Sequence, residues 1–155
     1  MGNHSDIVSD SPLYLLDTNI LVHYIRRDRL GREIEARYGL LLTPTVPLIS
    51  IVTEGELRAS ALKFGWGAEK MDQLEFLLTC LARVSLEEPG LLNAYATIDA
   101  YSESVGISIG KNDVWIAATV YITGARLLTT DKDFDHLSPL FVESDWIDPM
   151  MTLDS

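Results

Sequence analysis

The residues in this chain best placed to do chemistry are carboxylates that stand just beyond short apolar runs. Asp17 follows the run at 13–16 directly, and Asp131 comes just after Leu127, Leu128 and Thr129. If both runs are strands of one parallel sheet, both side chains emerge at its carboxyl edge, where open α/β sheets bind their ligands. Two more acids can reach that edge from helices that begin there. The helix after the run Leu48–Ser50 offers Glu54 and Glu56, which point roughly 200° apart around a helix, so only one can face a site. Glu56 shares an inward i, i+4, i+7 face with Val52 and Ala59. Glu54 stands four residues before Arg58, the spacing of a surface ion pair. Glu56 is therefore the expected site residue. Asp113 lies in the first turn of a very apolar helix from Lys111, where an acid also suits the helix dipole, with Asn112 available as the cap.

Taken singly, each of these acids has an ordinary structural role, so any chemistry belongs to the set. Carboxylates packed together repel one another and rise in pKa. A divalent cation relieves that repulsion, and Mg2+ is satisfied by a few carboxylates plus water. Against a phosphodiester, such an ion neutralises charge and activates water. No histidine is needed. His4 lies in the leader, and His23 and His136 read as surface or packing residues, although His23, on the first helix, could turn toward a cleft. Cys80 is the single cysteine. It reads as a small buried hydrophobe, with no disulfide partner and no zinc-like spacing, which suits a reducing compartment.

The 155 residues suit one domain, with a core at about 13–143, a loose leader at 1–11 and a loose tail at 148–155. The 47% apolar content argues against disorder. The leader lacks an apolar signal-peptide core, and no uncharged apolar run reaches about 18 residues, so a cytoplasmic protein without membrane contact is expected. A net charge of −11 argues against general nucleic-acid binding. The basic residues are unevenly spread, however: Arg26, Arg27, Arg29, Arg32 and Arg37 fall in one stretch.

The elements that must carry the acids alternate. A strand at 13–16 leads to a helix capped by Thr18 or Asn19 and running to about 29, and a second helix at 30–38 is stopped by Gly39. Strand Leu48–Ser50 leads to a helix at 52–64 closed by Gly65, then one at 68–81 and a strand at 83–85. A helix at 88–105 ends at Gly106, and a short apolar piece follows at 107–109. Helix Lys111–Thr123, stopped by Gly124, feeds strand Arg126–Thr129, then a turn at 131–137 and a last strand at 140–143. Alternation of this kind implies a parallel sheet covered on both faces.

Four segments carry a family resemblance: 15–21 (LLDTNIL), 50–57 (SIVTEGEL), 110–118 (GKNDVWIAA) and 128–134 (LTTDKDF). In this order and with these gaps they resemble the motifs of the PIN-domain ribonucleases, and the stand-alone length is most similar to the VapC toxins of type II toxin–antitoxin pairs. The resemblance implies a three-layer α/β/α fold around a central parallel sheet. It also implies Mg2+- or Mn2+-dependent cleavage of RNA, a homodimer and a cognate antitoxin protein. It assigns Asp17, Glu56, Asp113 and Asp131 to the metal and to catalysis, with Asp133 an alternative to Asp131 as the fourth acid. Thr18, Asn19 and Thr130 would support the acids. Arg26, Arg27 and Arg29 would grip RNA phosphates, or else form a solvated face paired with Asp28, Glu33 and Glu35.

Three other readings compete with this one. A phosphatase forming an aspartyl-phosphate usually wants an acid two residues after its nucleophile, where Asn19 stands here. A catalytically silent PIN-like module, binding RNA or protein, is disfavoured because all four acids are present. A DNA nuclease of related fold usually needs extra loops to grip duplex, and the chain is too short for them. Trp115 is expected in the core or a dimer interface, and Trp66, between glycines, exposed for a partner.

Overall fold

The computed structural model describes residues 12–150. Five short strands, β1 (Tyr14–Leu16), β2 (Leu48–Ser50), β3 (Ala82–Val84), β4 (Arg126–Thr129) and β5 (Ser144–Trp146), form one sheet in the order β3-β2-β1-β4-β5. All four pairings are parallel. The helices are α1 (Thr18–Arg26), α2 (Arg29–Tyr38), α3 (Ile51–Lys63), α4 (Ala68–Thr79), α5 (Leu91–Ser104) and α6 (Lys111–Thr123), with a short 3-10 turn at Asp135–Leu137. The expected three-layer α/β/α architecture is present. None of the described helices is long and apolar enough to cross a membrane.

Alternation along β1 builds two cores. Leu16 points with Leu128 and Ile49 toward α1, α2 and α4, meeting Ile20, Ile34, Leu74 and Leu77. Leu15 and Leu127 point the other way, into Leu91, Ile98, Val114 and Ala117 of α5 and α6. Helix α6 buries Ile116 through Val120 without a break, as a helix does when enclosed by both the sheet and a neighbouring helix. Helix α3 contacts both α1 and α6, and so links the two helical layers beyond the end of β2.

The chain builds outward from β1 to β2 and β3, then returns to place β4 on the other side of β1. The order therefore reverses between β1 and β4, and a crevice at their carboxyl ends is the expected ligand position. Register fixes what meets there. Leu16 pairs with Leu128, and the ladder continues through the Asp17 amide, which donates to the Leu128 carbonyl at 3.0 Å.

Several boundaries differ from expectation. Neither Thr18 nor Asn19 caps α1: Asp17 does, with extended backbone and its side chain accepting from the Thr18 amide. Helix α1 ends at Arg26 because Arg27 takes a left-handed φ of 53° and Asp28 starts α2, its side chain accepting from the Gly31 amide. Helix α5 begins at Leu91, after Gly90 at φ 85°. The last strand is Ser144–Trp146 and not 140–143, where the chain is still turning. Trp66 is half-buried and packs against the first core, and Trp115 packs on Tyr95 with ring centroids 4.0 Å apart. Cys80 is half-buried against the first core. His4 lies outside the described residues.

Candidate metal centre

Each acid reaches the switch point for a local reason. Asp17 is the residue between the last rung of β1 and the first turn of α1, so one side chain serves as both helix cap and strand-end carboxylate. It is 4% exposed. Its Oδ1 accepts from the Thr18 amide at 2.8 Å, and its Oδ2 accepts from the Thr129 hydroxyl at 2.7 Å. Thr129 in turn accepts from the Asp131 amide at 3.0 Å. A three-residue chain of hydrogen bonds therefore ties the loop after β4 to the carboxylate after β1.

Glu56 is held from two sides. The Thr18 hydroxyl donates to its Oε1 at 2.6 Å and lies 3.1 Å from the Thr53 hydroxyl. The Asn112 side-chain amide donates to Oε2 at 3.1 Å. Asn112 is thus not the cap of α6; Gly110 occupies that position with no side-chain bond. Glu54 faces elsewhere, paired with Arg58 at 2.8 Å and Arg83 at 2.6 Å, as its spacing indicated.

Asp113 enters from the first turn of α6. Burial pushes its carboxyl up to about 7, helped by the charges of Asp17, Asp131, Glu56 and Asp133. Burial likewise lifts Asp17 to about 6 against the pull of its two donors, with Asp131 and Glu56 adding to the rise. Asp133, whose amide donates to Asp131 Oδ1 at 2.9 Å, is raised chiefly by the Asp131 charge. Asp131 and Asp133 both stand beside Asp113, and Asp17 and Glu56 fall outside that tight group. Asp113, Asp131 and Asp133 each offer a carboxylate oxygen, and these oxygens lie within 4.8 Å of one another. A purely oxygen donor set of this kind suits a hard divalent cation such as Mg2+ or Mn2+.

The expected supporting residues divide. Thr18 contacts Glu56 as described. Asn19 is exposed, and Thr130 offers its carbonyl to Trp146 Nε1 at 3.1 Å; neither side chain bonds the acids. Thr129, Thr53 and Asn112 were missed. Only Thr129 had a usable signal, since a hydroxyl at the last rung of the strand leading to Asp131 is next to the crevice.

The arginines are not gathered with the acids. Helix α1 has nine residues, so its far end lies about 13 Å from Asp17. There Arg27 donates to Gln73 Oε1 at 2.7 Å, and Arg32 to the Arg27 carbonyl. Arg26 and Arg29 are exposed. His23 pairs with Asp28 at 2.7 Å near that same end and does not face the cleft. His136 Nε2 lies 2.8 Å from the Ser102 hydroxyl.

The model of the PIN domain family matches residues 14–139. The chain belongs to the PIN-domain family. Among relatives of this PIN domain, Ribonuclease VapC1 of Haemophilus influenzae (strain R2866) is 29% identical over 133 residues, 83% of this chain and 94% of that protein. Solved structures share the fold. VapBC2 from Rickettsia felis, bound to a promoter DNA fragment, gives a TM-score of 0.76 at 23% identity, covering 88% of this chain and 99% of that one. VapBC-1 from nontypeable Haemophilus influenzae gives 0.70 at 25% identity, covering 86% and 97%. FitAcB from Neisseria gonorrhoeae gives 0.69 at 26%, covering 85% and 96%.

Proposed function

We propose that this PIN domain is a divalent-metal-dependent endoribonuclease that hydrolyses RNA phosphodiesters, and that it is the toxin of a toxin–antitoxin pair. The observation carrying the reading is the group of Asp113, Asp131 and Asp133, whose carboxylate oxygens lie within 4.8 Å of one another, with Asp17 and Glu56 near enough for their charges to help raise Asp113. Likeness to a ribonuclease over most of both chains supports RNA as the substrate, and likeness to VapBC complexes supports an antitoxin partner. Exposed Leu62 and Phe64, at the end of α3, are apolar surface of the kind partners cover. A homodimer acting in the cytoplasm completes the proposal.

Asp113, Asp131 and Asp133 would hold Mg2+ or Mn2+, with Asp17 behind them. When bound, the ion supplies positive charge and Lewis acidity at the phosphate. The protein's own part is placement. Thr129 fixes the Asp17 carboxylate, and Thr18 and Asn112 fix Glu56 on the opposite wall. Burial and its acidic neighbours raise the Asp113 carboxyl to about 7, and a cation held there would favour its ionised form, releasing the proton to solvent.

The test is incubation of the purified protein with total RNA and Mg2+ or Mn2+, beside EDTA and Asp17→Asn controls, after any co-purified antitoxin has been removed. Cleavage that needs metal and is lost in the variant is expected. Equal silence of wild type and variant with either metal would favour a binding module, and cleavage retained by the variant would move the chemistry elsewhere.

A further inference from the structure

Past Glu56, the cleft continues in two directions. One arm is an open cavity of about 480 Å³ lined by Val52, Gly55, Glu56, Ala59, Ser60 and Lys63 of α3, with Asn112 opposite. A middle section is shared by Glu56, Asn112, Asp113 and Lys111. The other arm continues from Lys111 past Asp99, Ser102 and Glu103. Glu56 and Asn112 line both the first hollow and the middle one, and Lys111 lines both the middle one and the last.

Charge distinguishes the arms. Beyond Lys111 the walls carry Asp99 and Glu103, and the Lys111 ammonium is already paired with Asp99 at 3.0 Å, so a phosphate there meets net negative charge. Along α3, Glu56 is the only carboxylate of the lining, and Lys63 stands at the far end without an ion-pair partner among the described residues. Gly55, Ala59 and Ser60 keep the floor low between them. Lys63 is seven residues beyond Glu56 on the same helix face, about 10 Å along the axis, which is the rise of about three stacked nucleotides. A lysine in the last turn also complements the helix dipole, but that role does not require it to line the acids' own cavity.

We propose that a single strand of the RNA substrate leaves the acid cluster along the small-residue face of α3, and that Lys63 binds a backbone phosphate about three nucleotides beyond Glu56. The assignment rests on the ribonuclease reading for its substrate. Lys63 is a positioning residue in it, distinct from the acids and from the arginines at the far end of α1.

The experiment compares wild type, Lys63→Ala and Lys63→Arg on a labelled single-stranded RNA of roughly ten nucleotides and on the same site trimmed to two nucleotides on either side. It also measures binding of the long RNA in EDTA as a function of salt, with Lys63→Ala placed in an Asp113→Asn background. Thermal melts confirm that each variant folds. The expected result is KM raised roughly tenfold by Lys63→Ala on the long RNA, with kcat within about twofold, no difference on the trimmed RNA, and recovery in Lys63→Arg. The salt slope of binding should fall by about 0.7, the value for one phosphate on a single strand. If Lys63→Ala moves neither the long-substrate KM nor the salt slope, the track is wrong. If wild type fails to cut but binding still depends on Lys63, the track stands and the ribonuclease reading falls. If binding is indifferent to Lys63, the track falls whatever happens to cleavage.

Discussion

At the scale of residues, the centre depends on buried carboxylates held in an environment that resists their charge. Burial raises Asp17 to about 6 and Asp113 to about 7, from ordinary values near 3.8. A carboxyl whose folded pKa exceeds its unfolded one makes no difference to stability below about pH 4. As pH climbs through 4 to 7 the unfolded chain ionises freely and the folded one does not, so stability is lost across that window. For Asp17, nearly inaccessible to solvent, the loss amounts to roughly 3 kcal/mol. The metal-free protein should therefore melt lower at pH 8 than at pH 5.5, and saturating Mg2+ or Mn2+ should raise the melting temperature much more at pH 8. A metal-free protein that is more stable at pH 8, or a metal effect independent of pH, would contradict this. Thr129 gives a second residue-level prediction. Thr129→Val keeps the shape but leaves Asp17 Oδ2 without its donor, which should cost about 1–3 kcal/mol in denaturant unfolding. Metal affinity measured by titration calorimetry should fall about 10–100-fold. Unchanged affinity would remove Thr129 from the centre.

At the scale of elements, the site is made by short strands feeding directly into helices and by close contact between α1 and α2. Gly31 sets that contact: a Cβ there would run into the His23 carbonyl on α1, and a helix backbone cannot easily give way. Alanine normally improves a helix over glycine by about 1 kcal/mol, but here overpacking should reverse the sign, so that Gly31→Ala loses about 1–3 kcal/mol in denaturant unfolding. A more stable variant would show that the helices can separate without cost. Elements bounded by local chemistry were legible in the sequence. Gly39 and Gly124 end α2 and α6 with positive φ, and Asp17 and Asp131 stand beyond β1 and β4. Features set by tertiary context were not. Strand β5 is a partly solvated edge, SDW, with no apolar run to announce it, while the apolar residues 140–142 belong to a turn that buries Val142. The break after α1 depends on a non-glycine residue, Arg27, at positive φ. Among the site residues, the acids were legible from their place at strand and helix ends. Asn112 was not, because its partner Glu56 is brought near only by the contact of α3 with α6, and for Thr129 the strand-end position was legible but its partner Asp17 was not, since sheet register alone brings them together.

At the scale of the whole molecule, a chain of net charge −11 is a poor general ligand for RNA, and that reading holds only for its average surface. The negative charge that matters is gathered at one crevice, where a divalent ion can reverse its effect on a phosphate, and Lys63 is the cation on the walls of the α3 arm. Function here depends on where charge lies more than on its sum. The most direct test of the account is the rate at which wild type and Asp113→Asn cut one defined single-stranded RNA at saturating Mn2+, with both proteins shown by melting to be folded. Losing a carboxylate of the centre should cost more than losing a residue that merely supports one, so the account predicts a fall of at least about 100-fold. An Asp113→Asn protein that cuts within severalfold of wild type, at the same position in the RNA, would contradict it.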